Sequence, residues 1–314
     1  MNFFKQIKKH HLGWIAISIS ILIICLWAYW GINENFHEGW YYRSLSKNLG
    51  LLFIQYLSPM LITMVLTLIA IRWHKPGGVI FILIGIAFSL VIFITIPEIT
   101  FGIVLSWIPV TLLLVAVGLL YWFGHLRKKR IAFTLAIGIP VVLVIIFSVE
   151  PLIRISNRVN EVSGEPYVIS KNDKHLVWAP EGPGWSKKGG LSRNETRKIC
   201  ARLQEDGKTL ADTALNIWRL PNVKEAVKSM TRHTENCNGM WDEEKEKAVY
   251  EVKPDKEPPL WDPYSRVIYY WTSTEINQEK AYIIIYSGEV WRKSKDSKMG
   301  SLGFRAVKEV NNKR

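Results

Sequence analysis

The first half of the chain is a succession of long apolar stretches separated by short polar gaps. Five of these stretches approach the roughly 20 residues that an α-helix needs to cross a bilayer core. They cover about residues 14–30, 51–71, 79–96, 103–123 and 131–148. Because no water reaches the hydrocarbon, each stretch must satisfy its own backbone hydrogen bonds and is predicted to be helical. The sequence therefore predicts a five-span transmembrane domain over residues 1–150.

The charges between the stretches predict an orientation. With a cytoplasmic N-terminus, the cytoplasmic segments are residues 1–12, 72–76 and 124–130, which carry nine Lys and Arg residues. The outer loops, about 32–49 and 97–101, carry only Arg43 and Lys47. This bias follows the positive-inside rule. Five crossings then leave the C-terminal domain outside, so we expect a multi-pass protein of the cytoplasmic (inner) membrane with a periplasmic or extracellular domain.

The predicted spans carry no ionisable residue near their middle, and Glu98 and Glu150 lie at span ends. Ionisable residues inside spans usually mark transport paths. An anchor or a packing surface for other membrane proteins is therefore favoured over a pore or carrier. A surface that binds lipid or quinone between the helices is the third interpretation. Five helices exceed what tethering requires, so partner membrane proteins are expected besides the lipid bilayer.

The second half has the signals of a small α+β domain over residues 176–310, after a polar connector at 151–175. Ser192 and Glu195 have the spacing of a capping box, which predicts the start of a helix. Gly207 is predicted to end that helix in a left-handed conformation. Asn222 and Glu225 repeat the start signal for a second, shorter helix.

Strand-like runs follow the two predicted helices. Residues 267–271 continue into 272–275, and residues 281–286 end at Ser287-Gly288, which predicts a hairpin turn. A last strand is predicted at 303–308. Two helices followed by short strands and long loops favour an α+β fold.

Several short motifs of this half occur in an order that resembles a known family. They are Cys200, Leu203 and Gly207, then Trp218-Arg219-Leu220-Pro221 and Glu225, then Tyr270-Trp271-Thr272-Ser273-Thr274, Ala281-Tyr282, Gly288 and Phe304-Arg305-Ala306-Val307. Together they resemble a bacterial domain-of-unknown-function family typified by the C-terminal domain of a collagen-like adhesin. That family is related in fold to the sulfatase-modifying, formylglycine-generating enzymes and to C-type lectins. The resemblance covers about 178–308 and implies a C-type-lectin-like fold, in which Trp218, Arg219, Leu220, Pro221, Trp271, Phe304 and Arg305 form the fold motif.

The resemblance also offers an enzyme hypothesis, which one residue opposes. Formylglycine-generating enzymes use a copper-binding cysteine in the closing motif, where this chain has Ala306. The alternative that stays open is an envelope enzyme of undefined chemistry on the same fold, with an acid/base pair drawn from Asp255, Glu257, Asp262 and Glu275.

Bound cofactors and nucleic acid have little support in the sequence. His175 and His233 lack metal-ligand spacing, and no glycine-rich phosphate loop is present, so no cofactor is predicted. The net charge of +13 is not arranged as a basic stripe with interleaved aromatics, which argues against nucleic-acid binding.

Five tryptophans outside the fold motif are the candidate binding residues: Trp178, Trp185, Trp241, Trp261 and Trp291. Exposed indoles can stack on a sugar ring or fill a pocket of a protein partner. Alternatively, they are core wedges of a loop-rich domain. The favoured function is non-catalytic recognition of a glycan or protein ligand at the bacterial cell envelope, as a subunit of a membrane complex.

Cys200 and Cys237 permit two interpretations. In an oxidising compartment they could form a disulfide. The alternative is that Cys200 is a buried small hydrophobe on its helix and that Cys237 is a free thiol.

Overall fold

The computed structural model describes residues 2–95, 101–160, 167–171 and 174–310. The chain divides into two compact units. The N-terminal unit comprises Met1–His37 and Leu45–Leu152, and the C-terminal unit comprises Glu38–Ser44 and Ile153–Arg314. The first unit is helical, and the second contains the β-sheets.

Six α-helices make up the described secondary structure of the first half, apart from one π-helical turn. They are α1 (Asn2–Glu38), α2 (Leu45–Leu51), α3 (Ser58–Arg72), α4 (His74–Thr95), α5 (Phe101–Phe123) and α6 (Lys129–Ser156). Among the described residues, three helical segments are long and apolar enough to cross a membrane: Lys9–Glu38, His74–Thr95 and Lys129–Ser156. The predicted span end at Glu98 lies outside the described residues.

The second predicted span is a bent pair of helical segments. Leu45–Tyr56 and Ser58–Arg72 meet at 59°. The bend follows the π-helical turn Leu52–Tyr56, and a proline occupies the first turn of α3. Proline has no N–H and is tolerated at the start of a helix, so α3 begins there after the irregular turn. If the pair is one broken span, the number of candidate spans rises to four.

Glycines bring α4 and α5 into backbone contact. A Cβ atom on Gly78 would lie 2.5 Å from the carbonyl oxygen of Gly118, and a Cβ on Gly118 would lie 2.6 Å from the oxygen of Gly78. Small residues allow helices in lipid to approach this closely. Between α1 and α5, the buried Ser20 hydroxyl lies 3.1 Å from the hydroxyl of Tyr121.

The C-terminal unit combines two short helices with two principal sheets. The helices are α7 (Arg193–Arg202) and α8 (Val223–Lys228). The strands are β1 (Tyr167–Lys171), β2 (Lys174–Trp178), β3 (Thr231–Arg232), β4 (Glu235–Asn236), β5 (Met240–Asp242), β6 (Lys247–Val249), β7 (Tyr269–Glu275), β8 (Lys280–Ile285), β9 (Val290–Ser294), β10 (Leu302–Gly303) and β11 (Val307–Val310). One sheet has the order β1-β2-β11 and the other β10-β7-β8-β9, while β3-β4 and β5-β6 form hairpins. Only the β10–β7 pairing is parallel among the described strands.

Both predicted helix starts are confirmed by reciprocal capping boxes. The Ser192 side chain accepts from the backbone N–H of Glu195, whose carboxylate accepts from Ser192 N–H at 2.8 Å. Asn222 and Glu225 form the same arrangement at the start of α8. The predicted helix end was wrong, because α7 ends at Arg202 with Leu203 extended. Gly207 has the left-handed φ of +67°, but in a turn beyond the helix.

The predicted hairpin between β8 and β9 is confirmed, with φ of +89° at Gly288. The predicted last strand is instead two strands, because the chain changes sheets between them. β10 pairs with β7, and β11 pairs with β2. Arg305 lies between the two strands, and its buried guanidinium donates to the carbonyl oxygens of Ala179 and Leu260.

The predicted connector 151–175 contains more regular structure than its polar composition indicates. It includes the end of α6 and strand β1, which pairs with β2 from Tyr167↔Trp178 to Lys171↔Lys174. Residues 161–166 and 172–173 of the connector lie outside the described residues, as does the side chain of His175.

Candidate functional site

The structure divides the five candidate tryptophans into two groups. Trp178, Trp185 and Trp261 are almost completely buried. For these three, the interpretation as core wedges holds: Trp261 stacks on Tyr270 with ring centroids 3.8 Å apart. Trp241 is half-buried and Trp291 is 45 % exposed. Only these two of the five can offer an indole to a ligand.

The positions of both accessible indoles follow from strand alternation. In the β5-β6 hairpin, Met240 pairs with Val249 on the exposed face, whereas Trp241 pairs with Ala248. Successive side chains of a strand point to opposite faces, so Trp241 turns inward and packs edge-on against Tyr282 at 5.5 Å. Trp291 lies on β9, an edge strand of its sheet, and its ring contacts Tyr269 at 5.8 Å.

Each accessible indole lines a groove, and the two grooves share Tyr250. The Trp291 groove has a volume of about 370 Å³ and is lined by Glu246, Lys247, Ala248, Tyr250, Lys253, Ser287, Gly288, Glu289, Val290 and Trp291. The Trp241 groove has a volume of about 740 Å³ and is lined by Lys224, Lys228, Asn238, Gly239, Met240, Trp241, Val249, Tyr250 and Glu251. These volumes lie within the range of small-molecule sites.

Tyr250 separates the two grooves and is held in place by two glycines. Its hydroxyl donates to the carbonyl oxygen of Gly288 at 2.8 Å. A Cβ on Gly288 would lie 2.5 Å from the Tyr250 ring, and a Cβ on Gly239 would lie 2.6 Å from it. Burial raises the pKa of the Tyr250 phenol, so the ring is a neutral hydrogen-bonding partner.

The rims of the grooves carry charges of both signs. Glu246 forms an ion pair with Arg292, which lowers the pKa of the Glu246 carboxyl. Asn238 donates to the Glu251 carboxylate at 2.7 Å. A rim of carboxylates, amides and lysines around aromatic walls can hydrogen-bond to a polyhydroxylated ligand and stack on its apolar face.

The residues assigned to the fold motif have structural roles. Trp218 is buried and donates its indole N–H to the carbonyl oxygen of Gln204 at 2.7 Å. Arg219 binds both carboxylate oxygens of Glu225 at 2.7 Å. Leu220 lies in the core, and the carbonyl oxygen of Pro221 accepts from the backbone of β7 at Ser273.

The rest of the motif also lies in the core. Trp271 and Phe304 are fully buried, and the Trp271 indole N–H donates to Leu191. The Arg305 guanidinium lies 3.9 Å from the centroid of the Trp185 ring. Ala306 is buried in the same core. It occupies the position at which the formylglycine-generating enzymes are expected to have a cysteine.

Of the two interpretations of Cys200 and Cys237, the disulfide is not formed in the structure, in which both residues are free thiols. Both lie in the hydrophobic core, as the alternative interpretation held for Cys200. Burial raises the pKa of the Cys200 thiol to about 12 and that of Cys237 to about 11. Neither thiol is therefore a reactive nucleophile at neutral pH.

Sequence reasoning named Asp255 and Glu257 as acid/base candidates but missed Lys256 and the burial of this charged segment between β6 and β7. Asp255, Lys256 and Glu257 are each at most 3 % exposed. Asp255 binds the buried Arg158 guanidinium through two hydrogen bonds of 2.7 and 2.9 Å. The Lys256 ammonium donates to the carbonyl oxygen of Ser265. Burial, together with the nearby Arg158, lowers the pKa of Lys256 to about 7, against the opposing effects of Asp262 and Asp255.

The four carboxylates proposed for acid/base chemistry are held by separate partners. Glu257 accepts from the backbone N–H of His233, and Asp262 lies 3.1 Å from the Lys187 ammonium. Glu275 pairs with Arg193 at 2.7 Å and with Lys295 at 2.9 Å. Within the described part of the chain, no three His, Cys, Asp or Glu side chains are arranged to hold a metal ion.

Comparison with protein families gives one match. The sequence model of a family described as Domain of unknown function (DUF7670) matches residues 5–132, which run from α1 to the start of α6. No curated protein matches the chain, and no solved structure matches it.

Proposed function

We propose that this chain is a membrane-anchored recognition protein whose C-terminal unit binds a ligand outside the cytoplasmic membrane. The observation that carries the proposal is the pair of grooves that meet at Tyr250 and contain the two accessible tryptophans of the candidate set. The other three candidate tryptophans, Trp178, Trp185 and Trp261, are buried in the core, so the exposure of Trp291 is not a general property of tryptophan in this unit.

The ligand class that suits the grooves is a glycan. An exposed indole offers a flat apolar surface for a sugar ring, and Glu246, Lys253 and Glu289 offer hydrogen-bonding groups beside it. The motif resemblance described above supports a C-type-lectin-like fold for this unit, with residues 218–221 and 304–305 as its core. The proposed function is non-catalytic. The buried carboxylates of Asp255 and Asp262 are engaged in ion pairs with Arg158 and Lys187.

The division into units supports an odd number of crossings. Glu38–Ser44, which follows α1, belongs to the same compact unit as Ile153–Arg314, which follows α6. Within that unit the Arg266 guanidinium lies 5.1 Å from the Tyr41 ring, and Arg43 lies 4.7 Å from the Tyr264 ring. Two segments of one unit must lie on the same side of a membrane, so an even number of crossings separates them. Because α1 is a further crossing before the first segment, the total number of crossings is odd.

Counting the helices against this condition favours five spans. Between Ser44 and Ile153 lie the bent pair, α4, α5 and α6. The condition is met if all four of these segments cross the membrane, which gives five spans with α1, or if only α4 and α6 cross, which gives three. A total of four spans would not meet it. α5 has 23 residues and an apolar composition, which supports its crossing as well. Together with the positive-inside charges, this supports a cytoplasmic N-terminus and an extracytoplasmic C-terminal unit.

Membership of a larger envelope complex is part of the proposal. The helices present many exposed apolar side chains, such as Leu83 and Phe93 on α4 and Ile146 on α6. Lipid covers some of this surface, and partner helices can cover the rest. Purification from native membranes in mild detergent would recover a stoichiometric membrane protein if the proposal is right, whereas isolation of the chain alone would leave recognition as a solitary function.

Ligand binding is tested with the full chain in lipid nanodiscs and a panel of envelope glycans. For a glycan that binds, Trp291→Ala should weaken the affinity at least tenfold, because truncating an aromatic anchor removes a large share of the binding energy. Leu215→Ala is the matched control, since Leu215 is 44 % exposed and does not line either groove. Equal effects of the two substitutions would contradict the Trp291 site.

Topology is tested with single added cysteines and a membrane-impermeant thiol reagent on intact cells. Tyr42→Cys and Asp296→Cys should be labelled from outside, and Lys128→Cys should not. The two native thiols of the C-terminal unit are buried, so they contribute little background. Labelling of Lys128→Cys without Asp296→Cys would place the C-terminal unit in the cytoplasm and overturn the proposal.

A further inference from the structure

A concave basic pocket lies in the N-terminal unit, at one end of its helices. Its volume is about 480 Å³, and it is lined by Lys9, His10, His74, Lys75, Trp122, Phe123, Gly124, His125 and Arg127. Three chain segments contribute these residues: the beginning of the apolar part of α1, the beginning of α4, and the end of α5 with the loop that follows.

The pocket lies where a membrane surface would meet the helices. The first candidate span begins at Lys9, the span on α4 begins at His74, and α5 ends at Phe123. Trp122 is 40 % exposed and Phe123 is 59 % exposed. Basic and aromatic side chains at the ends of spans are typical of the interface between headgroups and hydrocarbon.

Backbone contacts fix the walls of the pocket. The His125 backbone N–H donates to the carbonyl oxygen of Lys9 at 2.9 Å, which ties the loop after α5 to α1. The His10 Nδ1 atom lies 3.4 Å from the carbonyl oxygen of His125. The rings of His74 and His125 meet nearly at right angles with their centroids 5.4 Å apart. These contacts join all three segments independently of any ligand.

The charges of two lysines that line the pocket are not compensated by a carboxylate of the described chain. Lys9 and Lys75 are exposed, and no carboxylate of the described chain forms an ion pair with either of them. The Lys75 ammonium lies 6.0 Å from the centroid of the Trp122 ring. Lys129, by contrast, lies outside the pocket and donates to the carbonyl oxygen of Arg72 at 3.0 Å. Two lysine ammonium groups are thus available to an anion in a concave site.

The three histidines add hydrogen-bonding capacity and do not form a metal centre. No group of three potential metal ligands is found anywhere in the described residues, so His10, His74 and His125 do not converge on one point. Imidazole N–H groups can instead donate to the oxygens of a phosphate, alongside Lys9 and Lys75.

We propose that this pocket binds the headgroup of an anionic phospholipid. The cations and imidazoles match a phosphodiester, and the exposed Trp122 and Phe123 match the adjoining glycerol and acyl chains. A free phosphate ion would use the cations but not the aromatic side chains. The site is distinct from the grooves of the C-terminal unit, and its existence does not depend on glycan recognition.

The test compares two charge-matched double variants of the full chain. Lys9→Gln with Lys75→Gln removes two cations that line the pocket, and Lys128→Gln with Arg130→Gln removes two exposed cations of the neighbouring segment that do not line it. Each protein is purified in a neutral detergent. Native mass spectrometry then measures binding of phosphatidylglycerol, with phosphatidylcholine as the zwitterionic reference lipid.

The pocket variant should bind phosphatidylglycerol about 30-fold more weakly than the unsubstituted chain, from the contribution of two basic residues to anionic-lipid binding. The control variant should stay within about threefold. Inorganic phosphate at millimolar concentration should not displace the lipid. Equal losses in both variants would assign the effect to diffuse charge and overturn the pocket. Equal affinity for both lipids, or displacement by phosphate, would overturn the phospholipid assignment.

Discussion

Replacing Lys256 by methionine should stabilise the C-terminal unit at neutral and acidic pH. The ammonium group of Lys256 is buried, 3 % exposed, and donates to one carbonyl oxygen, that of Ser265. It lies near one cation, Arg158, and near the carboxylates of Asp262 and Asp255. Burial is the largest of these influences and lowers the pKa of Lys256 from 10.5 to about 7.

The sign and size of the effect follow from proton linkage. Between pH 7 and 10.5 the unfolded chain binds the lysine proton more strongly than the folded chain, so stability rises with pH across this window. Each tenfold difference in proton affinity is worth about 1.4 kcal/mol, so charged Lys256 costs about 5 kcal/mol below pH 7. Methionine removes that cost but also removes the hydrogen bond to Ser265, which offsets about 1–3 kcal/mol.

The net expectation is a stabilisation of about 2–4 kcal/mol at pH 6. At pH 10 it becomes a destabilisation of about 0–2 kcal/mol, because the cost of the charge has largely vanished while the hydrogen bond to Ser265 is still lost. Urea unfolding of the full chain in detergent, followed by tryptophan fluorescence, measures the difference between the two proteins at each pH. Lys253→Met is the control, because Lys253 is exposed and should show no pH-dependent difference. A Lys256→Met effect that does not change between pH 6 and 10 would refute the reasoning.

Two further predictions concern buried pairs and close helix contacts. Asp255→Asn should lower the free energy of unfolding by about 3–5 kcal/mol, because it leaves the Arg158 charge buried without a carboxylate; Glu243→Gln, at an exposed ion pair, should cost less than about 1 kcal/mol in the same urea titration. Gly118→Leu should lower the thermal unfolding temperature of the N-terminal unit in detergent, because α4 and α5 are in backbone contact at Gly118. Gly138→Leu is the control, since a side chain at Gly138 meets open space and should leave this temperature unchanged. Equal unfolding temperatures for the two variants would contradict the close contact.

The sequence predictions that the structure confirms rest on local patterns. A capping box such as Ser192–Glu195 is a pair of hydrogen bonds within four residues, so its outcome depends little on the rest of the chain. Long apolar runs likewise predict helices from their own composition. The predicted end of α7 failed because a left-handed glycine serves equally well in the later turn at Gly207.

Long-range contacts explain what the sequence could not predict at the candidate sites. Whether a tryptophan is a core wedge or a groove wall depends on the strand that faces it, as Trp178 and Trp291 illustrate. Asp255 and Glu257 were named as acid/base candidates, but the sequence does not show that Asp255 is buried, because its partner Arg158 lies 97 residues earlier in the chain. The basic pocket was visible only as a charge bias, because the sequence does not show that Lys9, Lys75 and His125 share one concavity.

The assignment of Glu38–Ser44 to the C-terminal unit has a consequence for biosynthesis. This segment leaves the ribosome roughly two hundred residues before Tyr264 and Arg266, the side chains that contact Arg43 and Tyr41. At a synthesis rate of 5–20 residues per second, Tyr264 and Arg266 are synthesised roughly 10–40 s after this segment. The C-terminal unit is therefore completed only after the intervening helices have been made. A truncated chain that starts after α6 would fold without one of its own parts.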